Sequence, residues 1–229
     1  MQKRPLEELL NKEDPAWPLI INWINEGKNK VEVLPAREPD RASALLEVQV
    51  TTRSPMGAIV YETGGFFIDH GWLRVLGSGS DKMNRSLAGW NAEIGNDINS
   101  GEVPPFLLIA DDVIGGFFAL DHGLFGNPSS VFYFSPDSLD WEDTEKGYTD
   151  FLLWCLNGDL DQFYSGYRWV GWEDEVSQLN GNQGFTIYPF PFADGPPISQ
   201  RSRGVAPIAE LFGLYTGDLR EQLGFESPE

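Results

Sequence analysis

Between Met56 and Phe134 the chain is a succession of short β-forming runs, each closed by glycine or by a polar turn, and no other feature limits the fold as much. Ala58–Tyr61, Phe66–Ile68 and Trp72–Leu76 read as a three-stranded meander. Phe106–Ala110, Phe117–Leu120 and Val131–Phe134 read as a second set, separated by Asp111-Asp112 and by Asn127-Pro128. These strands cluster and do not alternate strictly with helices. The expected class is therefore α+β, a mixed, mainly antiparallel sheet with helices packed on one face, and a doubly wound sheet is disfavoured.

Helical signals flank the strands. Asp14 before Pro15 reads as a cap with proline in the first turn, and Leu19, Ile20, Trp23 and Ile24 follow at helical spacing until Gly27. Val31–Leu34 reads as a short strand stopped by Pro35, with Asp40 capping a helix through Leu46. Asn84–Ile94 has helical spacing behind the Gly77–Ser80 loop. Helix signals return after Pro136, with Gly147–Leu156 apolar on one face and Gly171–Leu179 an acidic amphipathic segment. Phe185–Phe192 reads as a proline-interrupted edge strand. Residues 1–229 read as a single domain, in which 194–207 form a surface loop before a short C-terminal helix near Asp218–Leu223.

Charge narrows the function. Acidic residues number 35 against 16 basic, a net charge of -19, and such a field repels phosphate backbones and anionic membranes. Neither nucleic acid nor membrane is expected as a partner. The excess either serves solubility alone or offers an acidic face to a basic protein, whose approach a complementary field accelerates. The sequence leaves the oligomeric state open. Apolar residues make up 41% of the chain, with eight Trp, enough to build a core. Cys155, within Phe151–Leu156, reads as a buried thiol with no disulfide partner. The first residues turn acidic where a secretory leader would turn apolar, and no later apolar run approaches a membrane span, so the expected compartment is the cytoplasm.

Two internal echoes carry the candidate chemistry. Gly64-Gly65-Phe66-Phe67-Ile68-Asp69-His70-Gly71 returns as Gly115-Gly116-Phe117-Phe118-Ala119-Leu120-Asp121-His122-Gly123 and holds both histidines of the chain. If the strands were neighbours, Asp69, His70, Asp121 and His122 could bind a divalent metal and support a metal-assisted hydrolase. The competing reading makes them turn residues that satisfy local backbone groups. Trp141-Glu142-Asp143 returns as Trp172-Glu173-Asp174-Glu175, and both read as first turns of helices, where acids suit the macrodipole and Trp anchors to the core. The same groups could instead face a partner. Asn157-Gly158-Asp159-Leu160-Asp161 starts like a calcium loop, but Gln162 stands where glycine is required and Arg168 where an acid is required. No phosphate loop, serine elbow, catalytic signature or cofactor motif occurs.

The stretches Gly64–Gly79 and Leu107–Asp121 resemble the bacterial domain-of-unknown-function family 2625, over nearly the whole chain. More distantly, Ile109-Ala110-Asp111-Asp112 to Gly115-Gly116-Phe117-Phe118 is similar to the central strand-turn-strand of the SUKH superfamily. That second resemblance implies an α+β fold that binds partners on a sheet face or cleft, with immunity members neutralising toxins. The reading at this level is a non-enzymatic acidic binding protein, with Asp111, Asp112 and the two Trp-acid clusters as its binding residues.

Overall fold

A computed structural model describes residues 3–98 and 103–225; Met1 and Gln2, at the head of the segment read for a leader, lie outside them. After a short helix α1 (Leu6–Leu9) come α2 (Trp17–Glu26), β1 (Val31–Pro35), α3 (Asp40–Val48), α4 (Pro55–Glu62), β2 (Thr63–Ile68), β3 (Leu73–Leu76) and α5 (Leu87–Glu93). The strands β4 (Phe106–Asp112), β5 (Phe117–Asp121), β6 (Val131–Ser135) and β7 (Asp140–Lys146) follow. The chain then forms α6 (Tyr148–Asn157), α7 (Leu160–Phe163), α8 (Trp172–Val176), β8 (Gln183–Tyr188), β9 (Ser202–Pro207), α9 (Ile208–Gly213) and α10 (Leu219–Leu223).

The α+β class and the antiparallel meander are as read. Strands β1 to β7 pair in chain order, every pair antiparallel, and β8 with β9 makes a separate two-stranded sheet. Successive strand residues point to opposite faces, and both faces of the large sheet are covered. Phe118 packs on Phe151 and Trp154 of α6. Its neighbour Phe117 packs on Phe212 of α9, which also meets Trp90 of α5. The β8–β9 hairpin joins α9 on that second face, where the Phe185 N–H donates to the Val113 carbonyl at 2.6 Å. One apolar core runs from Leu9 to Leu219.

Four local readings need correction. Ala58–Tyr61 is not a strand but the middle of α4. Ser54 caps that helix by accepting from the Gly57 N–H at 3.1 Å, and Pro55 fits its first turn, so termination chemistry outweighs the β-forming Ile59 and Val60. Replacing Ser54 with alanine lowers stability by about 1 kcal/mol in urea titrations, with the fold retained; no loss would remove the cap from this account. The opening helix starts at Trp17, and Asp14 pairs instead with Arg53 at 3.5 Å. Trp141-Glu142-Asp143 lies on the strand β7, not on a helix: Leu139 takes φ 55°, the chain reverses, and Trp141 pairs with Phe134. Finally, 194–207 is only partly a loop. Ser202–Pro207 pairs along β8, and Arg201 donates to the Pro189, Phe190, Ala193 and Pro196 carbonyls to hold the connection.

Candidate functional site

The end of β4 is where charge enters the core. Asp111 and Asp112 are both fully buried and point to opposite faces of the sheet. Asp111 lies between two guanidiniums, with Arg74 Nε 2.9 Å from Oδ1 and Arg85 Nη1 2.6 Å from Oδ2. Both arginines reach on to the start of β8 and the segment before it: Arg74 donates to the Gln183 carbonyl, and Arg85 to the Gly181 carbonyl at 2.6 Å. Burial lowers the Arg74 pKa from its ordinary value, and Asp111 opposes the shift.

Asp112 accepts from Gly116 N–H at 2.8 Å, from Ile114 N–H at 3.1 Å and from the Tyr133 hydroxyl at 2.9 Å. A side chain at Gly116 would collide with that carboxylate and hydroxyl, so the glycine is what lets the backbone close on Asp112. Burial raises the Asp112 pKa to about 6 against these hydrogen bonds and the Arg74 charge. Asp111 and Asp112 therefore cannot touch a macromolecular partner. They organise the core, which corrects their reading as surface binding residues.

The duplicated Asp-His-Gly turns do not converge. Strands β3 and β4 separate β2 from β5, which run in opposite directions, so the turns fall at opposite ends of the strands, two strands apart. Their partners differ too. Asp69 pairs with Arg168, and His70 sits edge-on to Trp172 with Nε2 3.9 Å from Glu173. Asp121 accepts from the Gly123, Phe125 and Asn127 N–H groups, and His122 Nδ1 lies 2.9 Å from the Pro104 carbonyl. Among the described residues no group of three His, Cys, Asp or Glu is placed to hold a metal ion.

The two Trp-acid clusters are also apart, because β3 to β7 spans four strand spacings, about 19 Å. On α8, Trp172 packs against Trp72 beneath the Arg168 guanidinium. Glu175 accepts from Trp169 Nε1 at 2.9 Å and pairs with Arg203, and Glu173 and Asp174 stay exposed. On β7, Trp141 turns inward onto Phe106, Phe125 and Phe134. Glu142 is exposed, and Asp143 accepts from Asn127 and Ser130.

Beside β7 lies a cleft of about 180 Å³, walled by Phe118, Tyr133, Phe151, Trp154 and Phe163 and edged by Glu142 and Asp143. Trp154 and Phe163 meet edge-on at 4.9 Å, and Tyr133 meets Phe163 at 5.1 Å. Lys146 also lines the cleft, its Nζ bonded to the Thr144 carbonyl. The acids of this cleft stand out in the sequence, whereas its aromatic walls do not, because they come from four elements, β5, β6, α6 and α7. The reading of the sequence also missed Arg74 and Arg85, although a cation inside the apolar run Trp72–Leu76 is itself a signal that a buried counter-ion exists.

The family model described as protein of unknown function DUF2625 matches residues 6–211. The chain belongs to the DUF2625 family. Among its relatives, a protein of Haemophilus influenzae described as uncharacterized is 46% identical over 185 residues, 80% of this chain and 81% of that one. The Escherichia coli putative uncharacterized protein YbfG is 42% identical over 217 residues, 92% of this DUF2625 chain and 95% of the relative. No solved structure matches this DUF2625 chain. Among its described residues no helix is long and apolar enough to cross a membrane.

Proposed function

We propose that this DUF2625 protein is a non-enzymatic binding protein of the cytoplasm that holds a basic protein partner along β7, with a lysine or arginine of that partner entering the aromatic cleft. The observation that carries the reading is the pairing of five aromatic walls with Glu142 and Asp143 at one mouth. Aromatic faces attract a cation within about 6 Å of their centroids, and a carboxylate at the rim supplies the ion pair. β7 is the last strand of the sheet and carries Asp140, Glu142, Asp143 and Glu145, so the acidic charge continues along the edge beside the cleft. The net charge of -19 steers a cationic partner towards the protein and turns nucleic acid and anionic lipid away. A SUKH-like partner-binding or immunity role is compatible with this surface.

An arginine- and lysine-rich peptide tests the reading directly. Its binding is expected to perturb the fluorescence of Trp154, to weaken as salt is added, and to fall about tenfold in the Glu142→Lys variant. Phe163→Ala, at a side chain 37% exposed, weakens binding while leaving the fold intact. Salt-independent binding, or equal affinity in both variants, removes β7 from the interaction.

A further inference from the structure

A larger cleft, about 510 Å³, opens between the β2–β3 turn and residues 176–181, at and after the end of α8, and its charge is opposite to that of the protein as a whole. Lys30, Lys82 and Arg74 line it, with Glu32 as its one lining acid, in a chain where acidic residues outnumber basic ones by 35 to 16. Glu32 is taken by Lys82 at 2.5 Å, and Lys30 has no salt bridge among the described residues. Arg74 is 1% exposed, and among the described residues its salt-bridge partner is Asp111, which it shares with Arg85. The Arg74 Nη2 has no hydrogen-bond partner among the described residues. Phe67 and Val176 supply apolar wall. His70 also lines the cleft, and its φ of 60° is that of the tight β2–β3 turn, in which the Gly71 N–H donates to the Ile68 carbonyl at 3.2 Å.

We propose that this cleft binds a small organic anion, an acidic oxygen group carried on an apolar body. The anionic group answers Lys30, Lys82 and the charge of Arg74 beneath them, and the body lies against Phe67 and Val176. The volume falls in the range of small-molecule sites, about 300–1,000 Å³. The site is independent of the acidic β7 edge, which lies beyond four intervening strands from β2.

Isothermal titration with phenyl phosphate, inorganic phosphate and benzyl alcohol tests the proposal on the intact chain. Phenyl phosphate is expected to bind saturably, more tightly than inorganic phosphate, and benzyl alcohol to give no saturable heat. Lys30 and Glu32 are exposed, so their variants keep the fold. Lys30→Glu weakens phenyl phosphate about tenfold, and Glu32→Gln, which frees Lys82, tightens it severalfold. Absence of saturable binding, or affinity unchanged in Lys30→Glu, overturns the site. Benzyl alcohol matching phenyl phosphate overturns the anionic reading, and inorganic phosphate matching it overturns the apolar body.

Discussion

Replacing Asp111 with alanine lowers the free energy of unfolding by about 3–5 kcal/mol, the largest loss expected from any single polar substitution in the core. The size follows from what remains behind. Arg74 and Arg85 are 1% and 7% exposed, and without the carboxylate they face each other as like charges out of water. Asp112 cannot take over, because it lies on the opposite face of β4 and is held by Gly116, Ile114 and Tyr133. Removing all three charges together, as Arg74→Met, Asp111→Leu and Arg85→Met, is expected to cost far less than the single change, since no buried ion is then stranded. Urea unfolding followed by tryptophan fluorescence measures both. A single-variant loss below about 1 kcal/mol would mean that water reaches the arginines and that the cluster is not the buried triad described.

The second large effect is a pH dependence owed to Asp112. Its carboxyl is lifted from an ordinary 3.8 to about 6 by burial, so the folded chain holds that proton more tightly than the unfolded chain does. Stability from this group is therefore greatest below its unfolded value and declines as pH rises towards about 6, after which the cost is fully present. At about 1.36 kcal/mol per pH unit, that cost is about 3 kcal/mol. Asp112→Asn keeps an oxygen for the Gly116 and Ile114 N–H groups and cannot ionise. The stability difference between this variant and the parent should thus shift in favour of the variant, by about 2 kcal/mol, between pH 4 and pH 7. A difference that stays flat with pH would assign Asp112 an ordinary carboxyl, open to solvent.

Where a segment announces itself by spacing alone, the sequence was readable. The runs at 66–68, 72–76, 106–110, 117–120 and 131–134 all fall on strands of the large sheet and pair antiparallel as expected, whereas the order of the strands is not carried by spacing. Trp172-Glu173-Asp174-Glu175 opens a helix as its acids suggested. The misread segments share a cause: their structure is decided by a partner elsewhere. Ile59 and Val60 have strand-forming side chains, yet Ser54 and Pro55 start a helix through them. Trp141 is a strand residue because Phe134 lies across from it, and Ser202–Pro207 becomes a strand because β8 is there to pair with.

The candidate sites were legible in proportion to how local they are. Glu142 and Asp143 stand out as a charge cluster, whereas the cleft beside them needs Phe118 from β5, Trp154 from α6 and Phe163 from α7. The echoed Asp-His-Gly turns show the converse case. The repeat is plain in the chain, but one copy follows the helix α4 and the other follows the strand β4, so identical residues meet different surroundings.

Because strand order in the large sheet equals chain order, each strand finds its hydrogen-bonding neighbour in the next strand to be synthesised. Such a sheet can assemble progressively from its N-terminal edge, with little loop-closure entropy to overcome at the short connections and more where α3 and α4 precede β2 and α5 precedes β4. The two arginines obey a different clock. Arg74 reaches the Gln183 carbonyl across 109 residues and Arg85 the Gly181 carbonyl across 96, so these donors stay unanswered until most of the chain has been made. The C-terminal segment is thus the latch of the molecule. A chain cut before it would hold a largely paired sheet with one face uncovered and its buried guanidiniums incompletely bonded, a distinction by which quality control could tell a finished copy from a broken one.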